Sequence, residues 1–129
     1  MANLKIPMDV QEKANMVITD FNLKTFEKNL GVKYYAAYRG AFLYLNRIEG
    51  NKDGPVARLK YKGELTNWEF SIYRFTRDNY FPMEFLFPGY DCVDGTIQGA
   101  MKAGNKAYPP RWTPAESNFS TFFKHLFGK

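Results

Sequence analysis

Arg58, Lys60 and Lys62 alternate along PVARLKYKG, and Tyr73 and Phe75 alternate at the end of NWEFSIYRF a few residues later. Side chains two apart share one face of a strand, so each run places its members together. If the two runs pair as a hairpin, the cations and the rings stand on the same side. Cations that neutralise phosphates beside rings that stack on bases are how a sheet holds single-stranded nucleic acid. The same pattern also describes an ordinary solvated face whose aromatics are covered by another element. The glycine-aromatic signature of an RNA-recognition sheet is missing.

Other chemistry-bearing residues are sparse. Glu84, Asp91 and Asp94 form an acidic segment, and Asp91 and Asp94 are spaced for the first turn of one helix. Paired carboxylates serve acid/base work or a hard cation, yet acids at a helix start are also favoured by its dipole alone. His125 is the sole histidine and Cys92 the sole cysteine, which leaves no internal disulfide and no cysteine-based zinc site. GxGxxG, P-loop, zinc-finger and GxSxG patterns are absent. No catalytic residue, metal or cofactor is therefore assigned. A tyrosine-lined pocket near Glu84 or Asp91 is the enzyme-like alternative.

Near the C-terminus, Phe119, Phe122, Phe123 and Leu126 fall on one helical face after the start signal Thr113, Pro114, Glu116. Such a face either closes its own core or docks a partner. Residues 105–129 read as an appendage helix, and its apolar face puts a protein partner slightly ahead of nucleic acid.

The elements that must position these residues follow from periodicity. Val10, Ala14, Val17, Ile18 and Phe21 trace one helical face between Met8 and about Leu30. KYYAAYRGAFLYLNRIEG reads as one or two strands broken near Gly40, where a bulge is expected. GNKDG offers a turn at Asp53-Gly54. PVARLKYKG then puts Ala57, Leu59 and Tyr61 on one face and Val56, Arg58, Lys60 and Lys62 on the other. After KGELTN, Trp68, Phe70 and Ile72 face the core shared with Leu59 and Tyr61, while Tyr73 and Phe75 turn toward Arg58 and Lys60. This aromatic run is read as the central strand. YFPMEFLFPGY is proline-punctuated and suits a sheet edge. Asp91 is expected to cap a helix from about Cys92 to Ala103, stopped by Gly104.

The order of these features resembles a family of small uncharacterised bacterial proteins, a domain of unknown function. There an N-terminal helix precedes a strand with a Pro-Val-Ala-Arg-like start, a turn and a strand opening on tryptophan. The matching positions are Pro55, Val56, Ala57, Arg58, Tyr61 and Trp68, within a resemblance spanning residues 10–100. Where that family has a second tryptophan, this chain has Tyr80 and Phe81. The resemblance implies an α+β fold and assigns no activity, so no residue role is carried over.

At 129 residues the chain fits one domain, and 45% hydrophobic with 24% charged residues excludes global disorder. Its aromatic share of 18% is high enough to supply both a core and a contact surface. The net charge of +5 is concentrated in residues 33–74 and 99–129, whereas 75–98 is acidic, which suits a polyanion without requiring one. MANLKIPMDVQEK lacks the apolar run of a signal peptide, and no stretch is apolar enough to span a membrane, so a cytoplasmic location is expected. The expected architecture is a single α+β domain with an N-terminal helix, an antiparallel sheet of three to five strands and two C-terminal helices. Its expected role is that of a non-enzymatic binding or interaction module.

Overall fold

The computed structural model describes residues 4–26, 31–81 and 87–110. Helix α1 (Met8–Phe26) is followed by strands β1 (Val32–Arg39), β2 (Phe42–Glu49), β3 (Lys52–Glu64), β4 (Asn67–Arg74) and β5 (Asn79–Phe81). A single 3-10 turn at Tyr90–Cys92 then leads into helix α2 (Ile97–Ala107). The α+β architecture is thus as expected. One of the two expected C-terminal helices is α2; the segment assigned to the other, with Phe119, Phe122, Phe123 and Leu126, lies outside the described residues.

Helix α1 buries Val10, Ala14, Ile18 and Phe21, steps of four, four and three that keep one stripe inward. Asp9 in its first turn and Lys24 in its last complement the helix dipole. The five strands form one antiparallel meander in the order β1-β2-β3-β4-β5, so each pairs with its neighbour in sequence. β3 is therefore the central strand, and the aromatic run in β4 sits one place nearer the edge. The β2–β3 turn falls at Gly50-Asn51, not at Asp53-Gly54: Glu49 pairs with Lys52, and Gly50 takes the positive φ of 64° that a two-residue hairpin asks of its first central residue.

The bulge is also elsewhere than expected. Gly40 lies in the β1–β2 turn, while the β2–β3 register shifts between Leu45, paired with Ala57, and Asn46, paired with Pro55. Pro55 has no N–H for the ladder, and a central strand tolerates proline only at such an irregularity. The extra residue is Val56, which turns inward with Ala57 rather than outward with Arg58. It packs against α2 at Gly104, where a Cβ would stand 2.6 Å from Val56 Cγ1 and 2.8 Å from the Tyr34 hydroxyl. Gly104 is accordingly a close-contact residue inside α2 and does not stop the helix. At its start, α2 is capped by Thr96, whose Oγ1 accepts from the Gly99 N–H at 2.9 Å, five residues beyond the expected Asp91 cap.

Both helices cover the same sheet face. Tyr34, Leu43, Leu45, Ala57, Leu59, Tyr61 and Trp68 meet Val10, Ala14, Ile18 and Phe21 of α1 and Ile97, Ala100 and Met101 of α2 in one core. Fully buried leucines such as Leu43, Leu45 and Leu59 each contribute about 1.5–3 kcal/mol of hydrophobic stabilisation. The pairings Tyr61 with Trp68, Leu59 with Phe70 and Ala57 with Ile72 confirm the expected inward set. At the sheet edge, the Asn22 side-chain amide of α1 accepts from the Tyr34 N–H at 2.8 Å and donates to the Tyr34 carbonyl at 2.9 Å. The amide thus stands in for a neighbouring strand at mid-β1.

Candidate nucleic-acid interface

Strand alternation sends Phe42 and Tyr44 of β2, Arg58 and Lys60 of β3, and Glu69, Ser71 and Tyr73 of β4 to the face opposite the helices. Tyr80 of β5 pairs with Tyr73 and joins them. Among the described residues no helix lies on this face.

Arg58 organises it. The guanidinium carbon stands 4.5 Å from the Phe42 ring centre and 5.1 Å from that of Tyr80, so the cation is held between two rings. The rings continue without a break: Phe42 to Tyr44 at 6.1 Å, Tyr44 to Tyr80 at 5.8 Å and Tyr80 to Tyr73 at 5.1 Å. Ser71, paired with Arg58, is only 5% exposed, and its small side chain leaves room for rings to lean across the sheet. Partial burial raises the Tyr80 hydroxyl pKa above its usual value, with the neighbouring Tyr44 adding to the shift. The Tyr73 hydroxyl donates to Asp78, which pushes its pKa up to about 12.

The charges on this face are mixed but lean positive. Lys33 and Arg39 of β1 share it with Arg58 and Lys60. Glu69 stands opposite Lys60, and Asp53 accepts the Tyr35 hydroxyl at 2.7 and 2.8 Å through its two carboxylate oxygens.

The structure thus brings together Arg58, Lys60 and Tyr73 from the set predicted by sequence, and Phe75 joins at the margin, its ring meeting that of Tyr73 edge to face at 4.9 Å. β4 ends at Arg74, so Phe75 lies past the paired strand, and its ring also meets Tyr108 at 5.2 Å beyond the end of α2. Lys62 is exposed and lies where the β3–β4 register shifts after Tyr61, which separates it from the regular row. Sequence reasoning missed Phe42, Tyr44 and Tyr80. The first two alternate with the buried Leu43 and Leu45, so their outward facing was readable; their closeness to Arg58 depends on register.

Asp91 and Asp94 do not share the first turn of a helix. Asp91 sits exposed in the 3-10 turn, 3.7 Å from Lys106 Nζ, while Asp94 accepts from the Thr96 N–H and hydroxyl at 3.0 and 2.6 Å, bonds that lower its pKa. Glu84 lies outside the described residues. Among the described residues no cluster of His, Cys, Asp and Glu could hold a metal ion, and no helix is long and apolar enough to cross a membrane.

Comparison of the chain with protein-family models, with curated proteins and with solved structures finds no match.

Proposed function

We propose that this chain is a non-enzymatic binding module whose outer sheet face takes single-stranded nucleic acid. The observation that carries the reading is the Arg58 guanidinium held between Phe42 and Tyr80 within a continuous row of rings on a face that no described helix covers. A guanidinium plane and aromatic rings are both stacking surfaces for unpaired bases, each stacked base contributing about 1–3 kcal/mol. Lys60, Lys33 and Arg39 supply the cations that a phosphate backbone needs. The alternative, a protein partner docked on Phe119, Phe122, Phe123 and Leu126, falls on residues outside those described.

The test is fluorescence anisotropy of short labelled single-stranded RNA and DNA at two salt concentrations. Saturable binding that weakens steeply with salt is expected, and Arg58→Glu with Lys60→Glu should abolish it while the fold is retained. Affinity that ignores salt, or no binding at low salt, rules the reading out.

A further inference from the structure

The β2–β3 hairpin, Phe75 and the end of α2 flank a cleft of ≈ 210 Å³. Arg47, Glu49, Lys52, Pro55, Phe75 and Tyr108 are among its lining residues. Arg47 belongs by alternation to the core-facing set of Leu43 and Leu45, and it is only 7% exposed. A charge taken that far out of water demands close acceptors. Its contacts are long ones: Nη1 lies 3.3 Å from both the Tyr34 hydroxyl and Asn105 Oδ1, and Nη2 lies 3.5 Å from Glu49. A guanidinium carries five N–H donors, and good N–H to oxygen bonds centre near 2.9–3.0 Å. Among the described residues, Arg47 therefore has more donor capacity than close acceptors.

The lining is balanced in charge, Arg47 and the exposed Lys52 against Glu49 and Asp53, so the pull on an anion comes from the spare donors of Arg47. Asp53 also lines the cleft, but its carboxylate is turned to the Tyr35 hydroxyl. The walls are apolar: Phe75 is 58% exposed, and Tyr108 meets it edge to face. A large ring held open to water beside a buried cation is a surface that a planar apolar body would cover. The volume equals that of about seven waters, which suits one six-membered ring with a carboxylate.

We infer that this cleft binds a small organic carboxylate with a planar apolar body, the carboxylate meeting Arg47 and Lys52 and the body lying against Phe75 and Tyr108. The cleft adjoins the outer face through Phe75, whose ring meets Tyr73 at 4.9 Å, but Arg58, Lys60, Phe42 and Tyr80 are not among its lining residues.

Isothermal titration calorimetry of the full chain with sodium benzoate, and with benzyl alcohol as the uncharged isostere, tests the inference. Benzoate should bind saturably at one site and benzyl alcohol about tenfold or more weakly, as expected for the loss of one charge-assisted contact. Phe75→Ala and Lys52→Gln change exposed side chains, so the fold should persist in both. Each should weaken benzoate by about threefold or more. Arg58→Glu should leave benzoate affinity unchanged. Absence of benzoate binding, equal affinity for the alcohol, insensitivity to both cleft variants, or loss in Arg58→Glu would each overturn it.

Discussion

Tyr34 ties three elements together with one side chain and one peptide unit. Its backbone is clipped by Asn22 of α1, and its hydroxyl donates to Asn105 Oδ1 at 2.6 Å in α2, with the Met101 carbonyl at 3.0 Å. The same oxygen faces Arg47 Nη1. Burial pushes this hydroxyl's pKa up to about 12, against the opposing pull of Arg47. Below about pH 10 the hydroxyl is protonated in both folded and unfolded chains. Between about pH 10 and 12 the unfolded chain releases the proton first, so stability falls as pH rises, by about 1.4 kcal/mol per unit at most. Tyr38, also raised to about 12 by burial, adds in the same direction. Urea titrations from pH 9 to 11.5 should show this decline, and Tyr34→Phe should flatten it while lowering stability near pH 7 by about 1–3 kcal/mol. A slope that is the same in both proteins would mean that burial does not hold the proton on Tyr34.

At the scale of elements, period-two alternation made most of the inward faces of β3 and β4 legible, and the run Val10, Ala14, Val17, Ile18 and Phe21 did the same for α1, with Val17 only half-buried. Alternation counts residues but does not see hydrogen-bonding partners. It therefore put Val56 outward, because only the pairing of Pro55 with Asn46 reveals the inserted residue. It likewise carried Phe75 past the end of its strand, where the ring nevertheless stays against Tyr73. The α2 boundaries were missed for a similar reason: Asp91 and Gly104 have the right types for a cap and a stop, but Thr96 makes the cap bond and Gly104 is required by the approach of Val56 and Tyr34. Arg47 left a usable signal, a charge at a core-parity position. The edge of β1 carries a prediction of its own. Asn22→Ala removes both amide bonds to Tyr34, so chemical denaturation should show a loss of about 1–3 kcal/mol. The exposed edge should also promote concentration-dependent association by analytical ultracentrifugation. An unchanged midpoint would show that water replaces the clip at no cost.

For the molecule as a whole, the layering among the described residues is one-sided: two helices on one face of a five-stranded meander and a ring-and-cation surface on the other. The candidate outer face could be inferred in kind from Arg58, Lys60 and Tyr73. Its aromatic partners come from strands far apart in sequence, so composition alone did not identify them. A single shared core predicts cooperative behaviour. A chain ending at residue 95, which lacks α2, should lose its sigmoidal urea transition by circular dichroism, because Ile97, Ala100 and Met101 complete the core. A sharp transition in that shortened chain would show that the meander and α1 suffice. The meander also sets an order of events during synthesis. Each strand meets its partner as soon as the next one emerges, but the acceptor of the Tyr34 hydroxyl on Asn105 lies 71 residues later. At ordinary translation rates that interval is on the order of 10 s. Throughout it, the Arg47 cation and the Tyr34 hydroxyl wait on the open side of a nearly finished sheet, and the arrival of α2 is what turns a nascent ribbon into a closed protein.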